Sequence, residues 1–219
     1  MRRWAETRRR RAAWAGLAAA ATLFSAAARA ACDTAPSRCP DNPELPAAVQ
    51  KLVPAGYEVL DHLAGSLTDA GRTDYLVVVH RIPDTEARPS ARPLLLITQG
   101  ADGRYTLAAR NDFVVMRADQ GGVSGDPYLD LDDNGLAIKN RYFSVQNGVA
   151  AGPNHWSDNI TFHYDAARRG WLFHQEIVHS SEPNPDPRPD ADALLPDKAS
   201  VIKADRQRPV SFDAWRPKH

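Results

Sequence analysis

The stretch Gly65 to Val79, GSLTDAGRTDYLVVV, decides the fold. It joins a polar, glycine-bearing turn to the run Asp74-Tyr75-Leu76-Val77-Val78-Val79, which is apolar at odd and even positions alike. A strand with one wet face alternates apolar and polar residues. A continuous apolar run of this length belongs instead to a central strand buried on both sides. Its sequence neighbours are therefore expected to pair with it.

Downstream, Arg92 to Gln99 holds a second run of the same kind, Leu94-Leu95-Leu96-Ile97. Asp102-Gly103 signals a tight turn before Tyr105, Leu107 and Ala109, and Phe113-Val114-Val115-Met116 follows Asn111-Asp112. Pro83 to Pro93, rich in proline and charge, is expected to be a mobile surface loop. Two later hairpins pass a pairing test. With a two-residue turn at Asn140-Arg141, Ile138 faces Phe143 and Leu136 faces Val145. With Asp165 opposite Gly170, Tyr164 faces Trp171, Phe162 faces Phe173, Thr161 faces His174 and Ile160 faces Gln175. Apolar residues thus meet across each pair of strands. The expected fold is mainly β, an antiparallel meander in the form of a twisted sheet, sandwich or partly open barrel, with one short N-terminal helix.

Upstream, Tyr57, Val59 and Leu63 begin the first strand, and an amphipathic helix is expected from Pro43 to Leu52 with Asn42 as N-cap. Pro46 in its first turn allows a later start. Before it, Met1 to Arg11 carries six arginines, Ala12 to Ala28 is small and apolar, and Ala28-Arg29-Ala30 fits a small-x-small cleavage site. Residues 1–30 read as a secretory signal, so the mature chain is expected in the periplasm or outside the cell. A retained membrane helix fits less well, because the apolar run is dominated by alanine. Cys32 and Cys39, the only cysteines, lie in the segment 31–42, where an oxidising compartment favours a bridge between them. Residues 43–179 form the expected β domain. Residues 180–219 form a proline-rich linker from Ser180 to Ala193 and a tail whose Val201, Ile202, Phe212 and Trp215 are expected to cover a sheet edge or an apolar patch.

Residues 1–30 hold seven of the 27 basic residues and one of the 27 acidic ones, which leaves 20 against 26. The mature chain is acidic, and the basic cluster that could release counterions from phosphates leaves with the signal, so no nucleic-acid partner is expected.

Gly65 to Val78 resembles the calcium loop and following strand of FG-GAP or VCBS-type repeats, whose pattern is Gly-Asp-x-Asn-x-Asp-Gly-x-x-Asp before an apolar strand. Leu94 to Leu107, with its turn Gln99-Gly100-Ala101-Asp102-Gly103, resembles the second half, so the resemblance spans about 45 residues, one blade. One blade cannot close a propeller, because each repeat buries its face only against its neighbours. Ser66, Thr68 and Ala70 stand where the repeat has ligands, and calcium takes about six to eight oxygens. The expectation is a bare turn, with Gly71 kept for backbone freedom and Asp74 hydrogen-bonding it. Gly125-Asp126-Pro127-Tyr128, Asn140 to Gln146 and Trp156 to Trp171 are similar to segments of small exported bacterial proteins with such a degenerate loop. That resemblance implies export and no activity.

Asp130-Leu131-Asp132-Asp133-Asn134-Gly135 matches the first half of a calcium loop, but Arg141 occupies the position of the closing bidentate glutamate. If a metal is held, it is calcium at Asp130, Asp132 and Asn134; otherwise the segment is a solvated turn and no cofactor is implied. His163 and His174 fall on the more polar face of the last hairpin as diagonal neighbours, and a zinc site there would need Glu176 or His179 as well. His62 and His80 have no spaced partner. Gly122-Val123-Ser124-Gly125 is not a nucleophile elbow, and Ser200-Val201-Ile202-Lys203 has no companion motif. Three classes of function stay open: a binding module for a protein or cell-envelope component, a calcium-stabilised β domain, and a hydrolase with a non-local site. The intact mass of the exported protein is expected to correspond to a chain starting at Ala31 or Cys32 with a Cys32–Cys39 bridge. A species that retains Met1, carries a lipid, or alkylates at two thiols without reductant contradicts this.

Overall fold

The computed structural model describes residues 42–69, 71–121, 125–129, 135–151, 154–186, 188, 191–195 and 198–218. Residues 1–30, expected to be a secretory signal, and Cys32 and Cys39 lie outside these. The chain is mainly β, built from two antiparallel meanders. Sheet 1 has strands β1 (Glu58–Gly65), β2 (Asp74–His80), β3 (Arg92–Gln99) and β4 (Tyr105–Val115) in sequential order. Sheet 2 has β5 (Gly135–Lys139), β6 (Tyr142–Ala151), β7 (Asn154–Asp165), β8 (Gly170–Ser181) and β9 (Lys198–Lys203), again in order. Among the described residues no helix is long and apolar enough to cross a membrane.

The double-sided apolarity of β2 and β3 produces two cores. Leu76, Val78, Leu94 and Leu96 meet Phe143, Val145, Ile160 and Phe162 of sheet 2. Tyr75, Val77, Val79, Leu95 and Ile97 on the opposite face are covered by Leu45, Val49, Leu52 and Val53. Of these only Val49 lies in helix α1, which is only the four-residue turn Ala47–Gln50 with Pro46 as its cap, not the longer helix expected from Pro43; Leu45, Leu52 and Val53 flank it. The proline ring disfavours helical backbone at Leu45, so the helix cannot begin before it. Asn42 is therefore no N-cap. It donates to the His62 carbonyl at 2.6 Å, and His62 Nε2 lies 2.8 Å from the Pro43 carbonyl, which straps this segment to β1.

Polar side chains join the sheets at their margins. A β-carbon at Gly65 would come within 2.9 Å of Ile138, so the glycine lets β1 approach β5. Asn147 of β6 accepts from Met116 N at 3.0 Å and donates to the Val114 carbonyl at 3.2 Å. Asn111 lies within the single strand β4 where the register shifts. Its amide oxygen accepts from Phe113 N and Val114 N, and its nitrogen donates to the carbonyls of Phe212 and Trp215. The Pro83–Pro93 loop is anchored rather than loose, because it carries the counter-ion of a buried arginine. Arg92 donates to Asp84 at 2.6 Å, to Asp126 through both terminal nitrogens, and to the Met116 carbonyl. Burial would raise the Asp126 pKa, but Arg92 and the backbone N–H groups of Tyr128 and Leu129 hold it below the ordinary carboxylate value.

Both hairpin turns lie where the sequence places them. Asn140 and Arg141 adopt the positive φ of a two-residue turn, Ile138 faces Phe143 and Leu136 faces Val145. In the β7–β8 pair Asp165, Tyr164 and Phe162 face Gly170, Trp171 and Phe173 as expected, but a bulge then inserts His174, so Ile160 faces Glu176 rather than Gln175 and Thr161 faces Gln175 rather than His174. The tail docks on the outer edge of β8. Beyond His179, where the sequence places the end of the β domain, β8 continues to Ser181 and β9 pairs with it. Ser211 bridges Leu172, and Phe212 and Trp215 enter the main core, with Phe212 edge-on to Phe143 and Phe162. The proline-rich excursion between β8 and β9 closes on itself through Asn184 N to the Ala193 carbonyl and Leu195 N to the Glu182 carbonyl.

Phe162 and Phe212 are both fully buried. Truncating either to alanine is expected to cost about 3–5 kcal/mol in equilibrium denaturation, the range for a large buried aromatic. A loss below about 1 kcal/mol, the scale of surface substitutions, would place that residue outside the core.

Candidate functional site

The loop that resembles a calcium repeat is organised by Asp74, which is fully buried. Its Oδ2 accepts from Leu67 N at 2.9 Å, Thr68 N at 3.1 Å and Thr68 Oγ1 at 3.1 Å, and its Oδ1 accepts from Gln99 N at 2.9 Å. Both oxygens are committed to donors of the turn and of β3. Gly71 has a φ of +93°, the backbone freedom the sequence assigns to it. Asp130, Asp132 and Asn134 lie outside the described residues, as does the Gly122–Ser124 motif. Among the described residues no group of three or more His, Cys, Asp or Glu is placed to hold a metal.

Sheet 1 is covered on both faces, so the outer face of sheet 2 is where a broad sheet surface meets solvent. Its side chains follow from the register: Ser144 opposite Thr161 and Thr161 opposite Gln175, Gln146 opposite Asn159, Gly148 opposite Ser157. Ser144 Oγ lies 3.0 Å from Thr161 Oγ1, which donates to Asn159 Oδ1 at 3.3 Å. Across Tyr142 to Gln146, Ser157 to His163 and Leu172 to His179, the outward positions carry no Asp, Glu, Lys or Arg. One end of this face is aromatic. The ring centroids of Tyr142, His163 and His174 are 5.2–5.7 Å apart, and Tyr142 is 38% exposed.

The bulge at His174 determines which groups share that face. Unbulged alternation would bring Glu176 out beside the histidines. The extra residue turns it inward opposite Ile160, where it is buried, and His179 lies opposite Ser157, further along the face. The four potential zinc ligands are therefore not brought together. The same bulge lies beside a cleft of about 450 Å³. Ala204 N donates to the His174 carbonyl at 3.0 Å, and Phe173 N to the Val210 carbonyl at 2.8 Å; between these bonds the chain swings away from β8. Leu172 and Phe173 line the cleft with His163, His174, Lys203 and Arg206. Burial lowers the His163 pKa, the neighbouring His174 lowers it further, and Asp165 offsets part of this. Its Nδ1 is buried without a hydrogen-bond partner among the described residues.

The nucleophile candidates separate in space. Ser200 pairs with Val178 and Lys203 with Gln175 on β9, three positions apart on a strand and therefore on opposite faces. Ser90, Asp84 and His80 are neighbours, but the Ser90 hydroxyl donates to the carboxylate at 3.1 Å, and that carboxylate also holds Arg92. Sequence reasoning missed the cleft, because Lys203 and Arg206 meet the histidines only through tail pairing. The surplus of apolar residues in the tail was the available signal. Compared with family models, curated proteins and solved structures, the chain finds no match.

His163 is expected to titrate below the ordinary value of about 6.5 when followed by NMR. The unfolded chain then takes up this proton first as pH falls. The associated stability is complete above about 6.5 and is lost as pH drops through the folded-state pKa. An ordinary or raised His163 value would contradict this reading.

Proposed function

We propose that the mature chain is an exported binding module, periplasmic or secreted, which engages a protein or other component of the cell envelope on the outer face of sheet 2. The observation that carries this reading is that the three central strands of that face, β6 to β8, present no charged side chain over the stretches described above, with Lys139 and Lys203 only on the flanking strands, in a chain whose other sheet is covered on both sides. Cores of protein interfaces are depleted in charged residues and enriched in aromatic ones, and the Ser144, Gln146, Asn159 and Thr161 array with Tyr142 at its end has that composition. Hydroxyls and amides can also exchange water for a polar partner without the desolvation penalty of an ion. A hydrolase is less well supported, since the Ser90 hydroxyl and the Ser200 motif have no base within a productive arrangement. A calcium role at the central loop is less well supported because the Asp74 lone pairs are already engaged.

Immobilised mature chain is expected to capture a defined component from envelope extract in a saturable way. Asn159→Arg, which puts a charge in the middle of the face, is expected to abolish that capture while leaving the circular dichroism spectrum unchanged. Capture that survives this substitution, or no saturable capture by the unaltered chain, contradicts the proposal.

A further inference from the structure

The cleft beside the His174 bulge has a charge pattern opposite to that of the chain. The chain beyond residue 30 carries 20 basic against 26 acidic residues, yet cations predominate around this cavity. Asp205, which lines the cleft, and Asp165, which acts on His163, are already paired. Asp205 accepts from Arg208 Nε at 2.9 Å, and Asp165 accepts from Arg168 at 2.6 Å and from its backbone N–H at 3.0 Å. Arg208 and Arg168 hold these carboxyl groups below their ordinary pKa values, so both stay ionised and engaged. Lys203 and Arg206 line the same cavity and have no carboxylate partner among the described residues.

The cavity is also built rather than incidental. Backbone hydrogen bonds at Ala204 and Val210 fix both ends of the segment that forms its rim, and the apolar side chain on this face of β8 is Leu172, since Phe173 turns into the main core. Leu172 is buried on the outer side of sheet 2, outside both hydrophobic cores, where this segment shields it. An apolar floor, two aromatic imidazoles and two uncommitted cations at the mouth form an amphipathic cavity, and about 450 Å³ is a usual size for a small-molecule site.

We infer that this cleft is a binding site for a small organic oxyanion, a phosphate ester or carboxylate whose apolar body lies on Leu172 and whose charged head meets Lys203 and Arg206. The inference rests on the binding-module reading and names a ligand class for it. Guanidinium and ammonium groups bind oxyanions through charge-assisted hydrogen bonds, and the apolar floor favours an ester or aryl acid over the free inorganic ion.

The test is titration of the mature chain with phenyl phosphate, benzoate, inorganic phosphate and benzyl alcohol, followed by NMR shifts of the His163 and His174 rings and the Leu172 methyls. Phenyl phosphate, benzoate or both are expected to saturate these signals, and which one does so identifies the head group. Inorganic phosphate and benzyl alcohol are each expected to bind at least about tenfold more weakly, because each lacks half of the recognition. Lys203→Gln and Arg206→Gln are each expected to weaken the aryl anion about tenfold, the scale of one charge-assisted hydrogen bond. Equal binding of benzyl alcohol, shifts that do not saturate, or affinity unchanged in both variants overturns the inference. If both aryl anions fail while Asn159→Arg still abolishes envelope capture, the anion site falls and the binding-module reading stands. If saturable capture fails as well, both fall together.

Discussion

Strands β2 and β3 have no wet face. Leu76, Val78, Leu94 and Leu96 point one way and Val77, Val79, Leu95 and Ile97 the other, and all are fully buried. Burying one such side chain is worth about 1.5–3 kcal/mol, so leaving either face of four in water would cost an amount comparable to a domain's whole margin of stability. Two covers are therefore required. Sheet 2 supplies one, and the short α1 segment with its flanking Leu52 and Val53 supplies the other. This requirement places the N-terminal segment on the far side of sheet 1 and leaves sheet 2 with an outer face that nothing in the core requires to be covered.

The sandwich is closed by groups that are not apolar. Arg92 is 1% exposed and sits between Asp84 and Asp126, with the Met116 carbonyl accepting a further bond. An ion buried this deeply is tolerable only when its donors are used, and here they are. Asn111 and Asn147 do similar work at other margins. Asn111 satisfies backbone groups of the β4 irregularity and of the tail together, and Asn147 links β6 to the end of β4. Asp74 completes the set, holding the turn after β1 against the end of β3. Each of these residues would be a liability in a strand or loop considered alone, and each is explained by a partner distant in sequence.

The aromatic tail links the fold to the candidate site. Phe212 and Trp215 fill the main core between the sheets, while Ser211 and β9 pair along the outer edge of β8. The two runs of pairing leave a gap at the bulged His174, and the chain bridging that gap forms the rim of the cleft. The same docking that protects an exposed sheet edge therefore also creates a cavity with Lys203 and Arg206 at its mouth.

What the sequence determined by itself is whatever short-range pattern specifies. The apolar run at Asp74–Val79 located a doubly covered strand, the Asn140-Arg141 and Asp165-to-Gly170 turns set the start of each later register, and the apolar tail residues announced that they would dock. Tertiary structure decided the rest. The bulge at His174 leaves no signature in side-chain alternation, yet it reverses the direction of Glu176 and so separates it from the histidines. The short helix, the buried Asp84–Arg92–Asp126 cluster and the cleft all depend on contacts between segments far apart in the chain. A hydrophobic pattern fixes which residues leave water, whereas the position of a charge or a bulge depends on which neighbour arrives to satisfy it.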